Sequence, residues 1–149
     1  MIEWNYSDFG MKGRLREAIL KPSKNTLKRV LGDRAEALRL AKLSLGEVET
    51  NRELFPVNEY DKLAYQLNLL TDVCRMAYTH MELFMRYWIA KKNPGAAPSD
   101  NDAQLALAVT AMSTLADEYL TRYGENEPLI DVETMRTFAN EVTKAHGAL

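Results

Sequence analysis

Between residues 63 and 88, apolar side chains fall at Leu63, Leu67, Leu70, Cys74, Ala77, Met81, Phe84 and Trp88. These alternating steps of four and three hold a 3.5-residue period for nearly four heptads. A second apolar row runs beside the first through Leu69, Val73, Met76, His80, Leu83 and Tyr87, and a polar row carries Asn68, Asp72, Arg75, Thr79, Glu82 and Arg86. Asn58 stands where a cap is needed, and Glu59 and Asp61 follow where the helix dipole favours negative charge. The pattern predicts one helix over about 59–92, roughly 50 Å long at 1.5 Å per residue. So wide an apolar arc needs several neighbours, which makes this helix the expected central post.

The same four-three spacing returns at Leu105, Val109, Met112, Ala116, Tyr119 and Tyr123. It predicts a helix over about 100–123 that starts at Ser99 or Asp100 after the breaker "NPGAAPS" and stops at Gly124. The short connection makes it the antiparallel partner of the long helix. A last helix is expected after Asp131, burying Val132, Met135, Phe138 and Val142. Upstream, Asp33 followed by Glu36 reads as a cap for a helix of about 34–53 with Leu38, Ala41, Leu45 and Val48 facing inward. Leu40 and Leu43 lie well off that stripe and need a second neighbour or an outside partner. Shorter helices are expected at about 24–31 after Pro22 and over residues 11–20, the latter weakened by Gly13. The fold class that follows is all-α: a compact five- or six-helix bundle in a single domain of 149 residues, with residues 1–10 as an aromatic N-terminal segment.

Composition adds bounds rather than identity. Apolar residues make up 46% and charged residues 27%, and no apolar run approaches the roughly 18 residues of a membrane span. The opening "MIEWNYSDFG" lacks the basic and apolar regions of a secretory signal, and Cys74 is the single cysteine, so a cytoplasmic protein is expected.

Charge changes the picture more. Residues 11–43 hold ten bases against three acids, a net of +7, whereas residues from 97 onward hold nine acids against three bases, a net of −6. The densest part is "KPSKNTLKRVLGDRAEALRLAK". Lys24, Lys28, Arg29, Arg34, Arg39 and Lys42 are its candidate phosphate contacts, and binding through them would be non-specific and salt-dependent. No aromatic residue falls within 10–50 to stack on bases.

Catalytic signatures are missing. The chain has no P-loop, no G-x-G-x-x-G, no H-E-x-x-H, no E-x-x-H for a di-iron bundle and no paired E-E-x-x-E with E-x-x-D acids for magnesium. Two histidines, His80 and His146, are too few for a three-histidine metal site. His80 and Cys74 point about 120° apart on one helix and do not meet. No enzyme activity, cofactor or metal is expected. Trp4, Tyr6 and Phe9 form either a tail folded over the bundle or a docking segment, since Trp and Tyr are common interface anchors. The function read from these features is non-catalytic binding of another macromolecule. A protein partner bound as an adaptor, regulator or inhibitor comes first, with Trp4, Tyr6, Phe9, Leu40 and Leu43 as interface candidates. Nucleic acid held through residues 12–42 is the alternative, and self-association is an allied expectation.

Overall fold

A computed structural model describes residues 22–92, 100–124 and 131–146, the side chains of residues 92, 100, 101 and 146 excepted. Among the described residues there are four α-helices and no strand. They are α1 (Lys24–Thr50), α2 (Val57–Lys92), α3 (Asp100–Tyr123) and α4 (Val132–His146), and a 3-10 turn, Arg52–Leu54, joins α1 to α2.

The all-α class stands, and the described residues hold four helices where five or six were expected of the chain. The segment expected to split at Gly32 is one helix of 27 residues. Ser23 rather than Asp33 caps it, its side-chain oxygen accepting the Thr26 amide at 3.1 Å. The reason is energetic. A glycine inside a helix costs only about 1 kcal/mol relative to alanine, which is too little to end a helix held by tertiary packing. Gly32 faces open space, and Leu27, Val30, Arg34 and Ala41 carry one buried stripe straight past it. The helix expected at residues 11–20 lies outside the described residues. The start of α2 also shifts: it begins at Val57, ahead of Asn58, and the Pro56 carbonyl accepts the amides of Glu59 and Tyr60 at 3.0 and 2.9 Å.

The other boundaries follow the sequence reading. Gly124 adopts φ +67° at the end of α3, a left-handed conformation that favours glycine. Asp131 caps α4, its Oδ1 accepting the Thr134 amide at 2.9 Å and its Oδ2 accepting the Thr134 hydroxyl at 2.6 Å.

Helix α2 is the post around which the rest is arranged. On one side, its Leu69, Met76 and Leu83 meet Leu105, Met112, Ala116 and Tyr119 of α3 and Met135, Phe138 and Val142 of α4. This three-helix core is sealed partly by aromatic edges on Phe138, with His80 at 5.5 Å and Tyr87 at 6.4 Å between ring centres. Ala108 and Ala116 lie buried in it, small enough for α3 to approach α2 closely. Outside the core, Arg136 of α4 pairs with Asp117 of α3. On its other side, α2 carries α1. Leu27 and Val30, near the start of α1, pack with Met81, Met85 and Trp88, near the end of α2, so the two helices are antiparallel. Phe84 touches both clusters and joins them.

The two helices of this hairpin outrun the core. Buried residues of α1 end at Ala41, those of α2 begin at Leu69, and no residue from 42 to 68 is buried. Along that stretch the helices have only a half-buried seam of Leu45, Val48, Leu63, Ala64 and Leu67. Residues 42–68 therefore form a helical arm without a buried core of its own.

Candidate interaction surface

Seven large hydrophobics are exposed among the described residues, and six of them lie between 40 and 70: Leu40, Leu43, Leu54, Val57, Tyr65 and Leu70. Leu107 of α3 is the seventh. Scattered exposed leucines are ordinary, but a concentration of them on one element marks a surface that other molecules can bury. Leu40 and Leu43 stand one turn apart on the side of α1 turned from α2, with exposures of 47% and 51%. Leu54 and Val57 occupy the tip and are the most open, at 74% and 72%. Sequence reasoning singled out Leu40 and Leu43 because they left the stripe. It missed Leu54 and Val57, which follow no period, and it set Leu70 on the inward row of α2. Leu70 is exposed although Leu69 and Thr71 on either side of it are buried, so it faces away from the neighbours that cover them.

The basic stretch resolves into two parts. Lys24, Lys28, Arg29, Arg39 and Lys42 are exposed, whereas Arg34 is 8% exposed and belongs to the buried stripe. Arg34 is thereby removed from the candidate phosphate contacts. Of the remainder, Arg39 is held by Glu36, donating from Nε and Nη2 to its two carboxylate oxygens at 2.8 and 2.7 Å. That fork holds Glu36 below the usual carboxylate range and raises Arg39. Lys24 and Lys42 are separated by roughly 27 Å of helix. What remains is a sparse basic ridge.

Arg34 reaches instead toward the α1–α2 interface, where its charge acts on Cys74 and His80. Burial lowers its own pKa, with the charges of Cys74 and Asp33 opposing. Burial also pushes the Cys74 thiol up, and the nearby guanidinium pulls it partly back. For His80 the two effects add: desolvation first, then Arg34, lower it to about 3. Its Nε2 is closed off from solvent and its ring meets Phe138 edge-on, so the imidazole is neutral and built into the packing. A thiol held protonated and an imidazole this weakly basic do not make a nucleophile and its base.

A second polar cluster, unforeseen from the sequence, ties α3 to α2. Asp72, which the pattern set on a solvated row, has a side chain only 12% exposed. Tyr123 donates its hydroxyl to Asp72 Oδ2 at 2.7 Å, Arg75 donates to Oδ1 at 3.2 Å, and Arg122 pairs with Oδ2. Burial, then the Asp72 carboxylate, raises Tyr123 to about 12. Arg122 is raised by its bonds to Tyr123 and Asp72. The same row places Thr79 at 7% exposure and leaves Glu82 and Arg86 half-buried, so α2 is enclosed on its polar side as well. An open depression of about 490 Å³ lies nearby, lined by Thr114, Asp117, Glu118, Thr121 and Arg122. The space between Asp72, Met76 and Arg122 is about 10 Å³, room for one water at most. Neither is a substrate pocket of the enclosed, apolar kind.

Trp4, Tyr6 and Phe9 lie outside the described residues. Among the described residues, no three His, Cys, Asp or Glu side chains come together as metal ligands, and no helix is long and apolar enough to cross a membrane. No family model, curated protein or solved structure matches the chain.

Proposed function

We propose that this chain is a non-catalytic binding module, cytoplasmic and of adaptor, regulator or inhibitor type, that engages another protein through its helical arm. The observation that carries the reading is the contrast between a core rich in buried residues and an arm, residues 42–68, with none. Nearly all of the exposed large hydrophobics lie on that arm or at its root. A two-helix layer buries one face of each helix and needs a further layer to cover the rest. Leu54 and Val57 at the tip, with Leu40 and Leu43 behind them, offer the aliphatic anchors that a partner's groove or helix covers.

Quantitative affinity enrichment from cell extract tests this, with the wild type beside a Leu54→Glu/Val57→Glu variant. A protein enriched by the wild type and lost with the variant, while helicity and unfolding midpoint stay unchanged, is the expected result. Equal enrichment by both removes the arm as the docking surface.

The nucleic-acid reading keeps Lys24, Lys28, Arg29 and Lys42 as exposed bases, but loses Arg34 to the interior and Arg39 to Glu36. It predicts anisotropy-detected binding to generic DNA or RNA at about 50 mM salt that collapses at about 200 mM.

A further inference from the structure

Helix α1 is attached to the fold differently from α3 and α4. The larger buried cluster is built from α2, α3 and α4 and holds no residue of α1. Leu27 and Val30 of α1 are buried in the smaller cluster, and the residues packed with them lie on α1 itself and on α2. A third buried position of α1 goes to Arg34, where desolvation of the guanidinium offsets part of what docking contributes. The fourth is Ala41, which brings little area, and from there to Thr50 the contact is a half-buried seam. The connection to α2 is residues 51–56. The Leu54 amide donates to the Asn51 carbonyl at 3.0 Å and the Phe55 amide to the Arg52 carbonyl at 3.2 Å. Phe55 is extended, at φ −110° and ψ 141°, and Pro56 follows it, so neither helix runs on through the turn. Lifting α1 off α2 therefore opens one small cluster and one short connection, and leaves the three-helix core whole.

What α1 covers is Cys74. On α2, Cys74 stands one heptad before Met81 and shares its stripe. Leu27 and Val30 pack on Met81 and the two helices are antiparallel, so the position opposite Cys74 is one heptad after Leu27, at Arg34. The mutual effect of the guanidinium and the thiol agrees with that placement. Cys74 is half-buried there.

We propose that α1 is a strap that swings off α2 as one unit about residues 51–56, with α2, α3 and α4 still folded, and that this opening controls access to Cys74. The cysteine is the single thiol of the chain, so its reactivity reports the strap directly. The device does not depend on which molecule the arm engages.

The test is alkylation of the full chain with iodoacetamide under native conditions, followed by mass spectrometry, beside native-state hydrogen exchange. Cys74 should react more slowly than in the urea-unfolded chain. Leu27→Ala weakens the docking of α1 two turns away from Cys74, and should speed alkylation about 30-fold or to the rate of the unfolded chain. Leu105→Ala lies in the larger cluster, which stays formed in both the closed and the opened state, and should change the alkylation rate by no more than about two-fold. Val142→Ala takes its place if that variant does not fold. An isolated helix is marginal in water, so the amides of residues 27–50 should exchange at one common opening free energy, below that of residues 105–116. Equal acceleration by Leu27→Ala and Leu105→Ala would show that the thiol is reached by unfolding of the whole chain, and overturns the proposal. Wild-type alkylation as fast as in urea overturns it as well, because Cys74 is then not covered. Protection that rises steadily from Thr50 back to Leu27 replaces the strap with fraying from the tip.

Discussion

The Tyr123 hydroxyl, on the last turn of α3, donates to the carboxylate of Asp72 in the middle of α2 at 2.7 Å. This bond pins the end of the third helix to the central one, and Tyr65 closes over it with its ring centre 6.0 Å from that of Tyr123. A hydrogen bond to a charged group contributes about 1.5–3 kcal/mol, so Tyr123→Phe should lower unfolding stability by about that amount in a denaturant titration. Arg122→Ala, which removes a side chain 53% exposed, should cost less, by the measure of surface ion pairs.

His80 gives the fold a defined acid limit. Its pKa is about 6.5 in the unfolded chain and about 3 in the folded one, so between those values the unfolded state binds the extra proton. Stability should therefore be complete above about pH 6.5 and fall as pH is lowered from there toward 3. Asp131, held below its usual range by its bonds to Thr134, adds loss at the acidic end of the same window. Denaturation midpoints measured at intervals between pH 7 and 4 check this, and His80→Gln should flatten the upper part of the slope.

Arg34 occupies an inward position where the stripe calls for an apolar residue. Desolvating a guanidinium offsets much of what its pairing contributes, and replacing buried ionic groups with apolar ones of similar volume is often neutral or stabilising. Arg34→Met, which keeps the length, should leave thermal stability unchanged or raised. Arg34→Ala should lower it through the volume lost between α1 and α2. Calorimetry on the two variants separates charge from packing.

The arm and the core should answer substitution differently. Leu83 is fully buried, and Leu83→Ala should cost about 2–5 kcal/mol. Leu54→Glu and Val57→Glu touch nothing buried and should shift stability by no more than about 0.5 kcal/mol. In native-state hydrogen exchange, amides of residues 42–68 should open well before those of residues 73–90.

These contrasts also mark what the sequence could disclose. Periodicity located α2, α3 and α4 to within two residues, because their stripes are long and their stop signals agree with them: Gly124 after Tyr123, Asp131 before Val132. It divided α1 because Gly32 and Asp33 together resemble an end and a start. Only the continuity of packing from Leu31 to Arg34 overrules them, and packing is a tertiary fact. The same limit applies to Arg34 and Asp72. A single-helix pattern assigns charged residues to water, whereas these two are placed by where the neighbouring helix lies. Leu40 and Leu43 were legible as off-stripe positions. The arm itself was not, since it arises from α3 and α4 ending level with the middle of α2, and no local pattern records where a neighbour stops.

Helix α2 runs through arm and core for 36 residues without a glycine or a proline. Within α2 no hinge residue separates the tip from the body, and the gentle bending of long helices is the compliance available to it. The hairpin is therefore a lever with its fulcrum near Leu69. A tilt of about 10° at that point carries Val57 through roughly 3 Å, given about 18 Å of helix between them. Whatever grips the tip acts with mechanical advantage on the packing of Met76, only about 10 Å beyond the fulcrum.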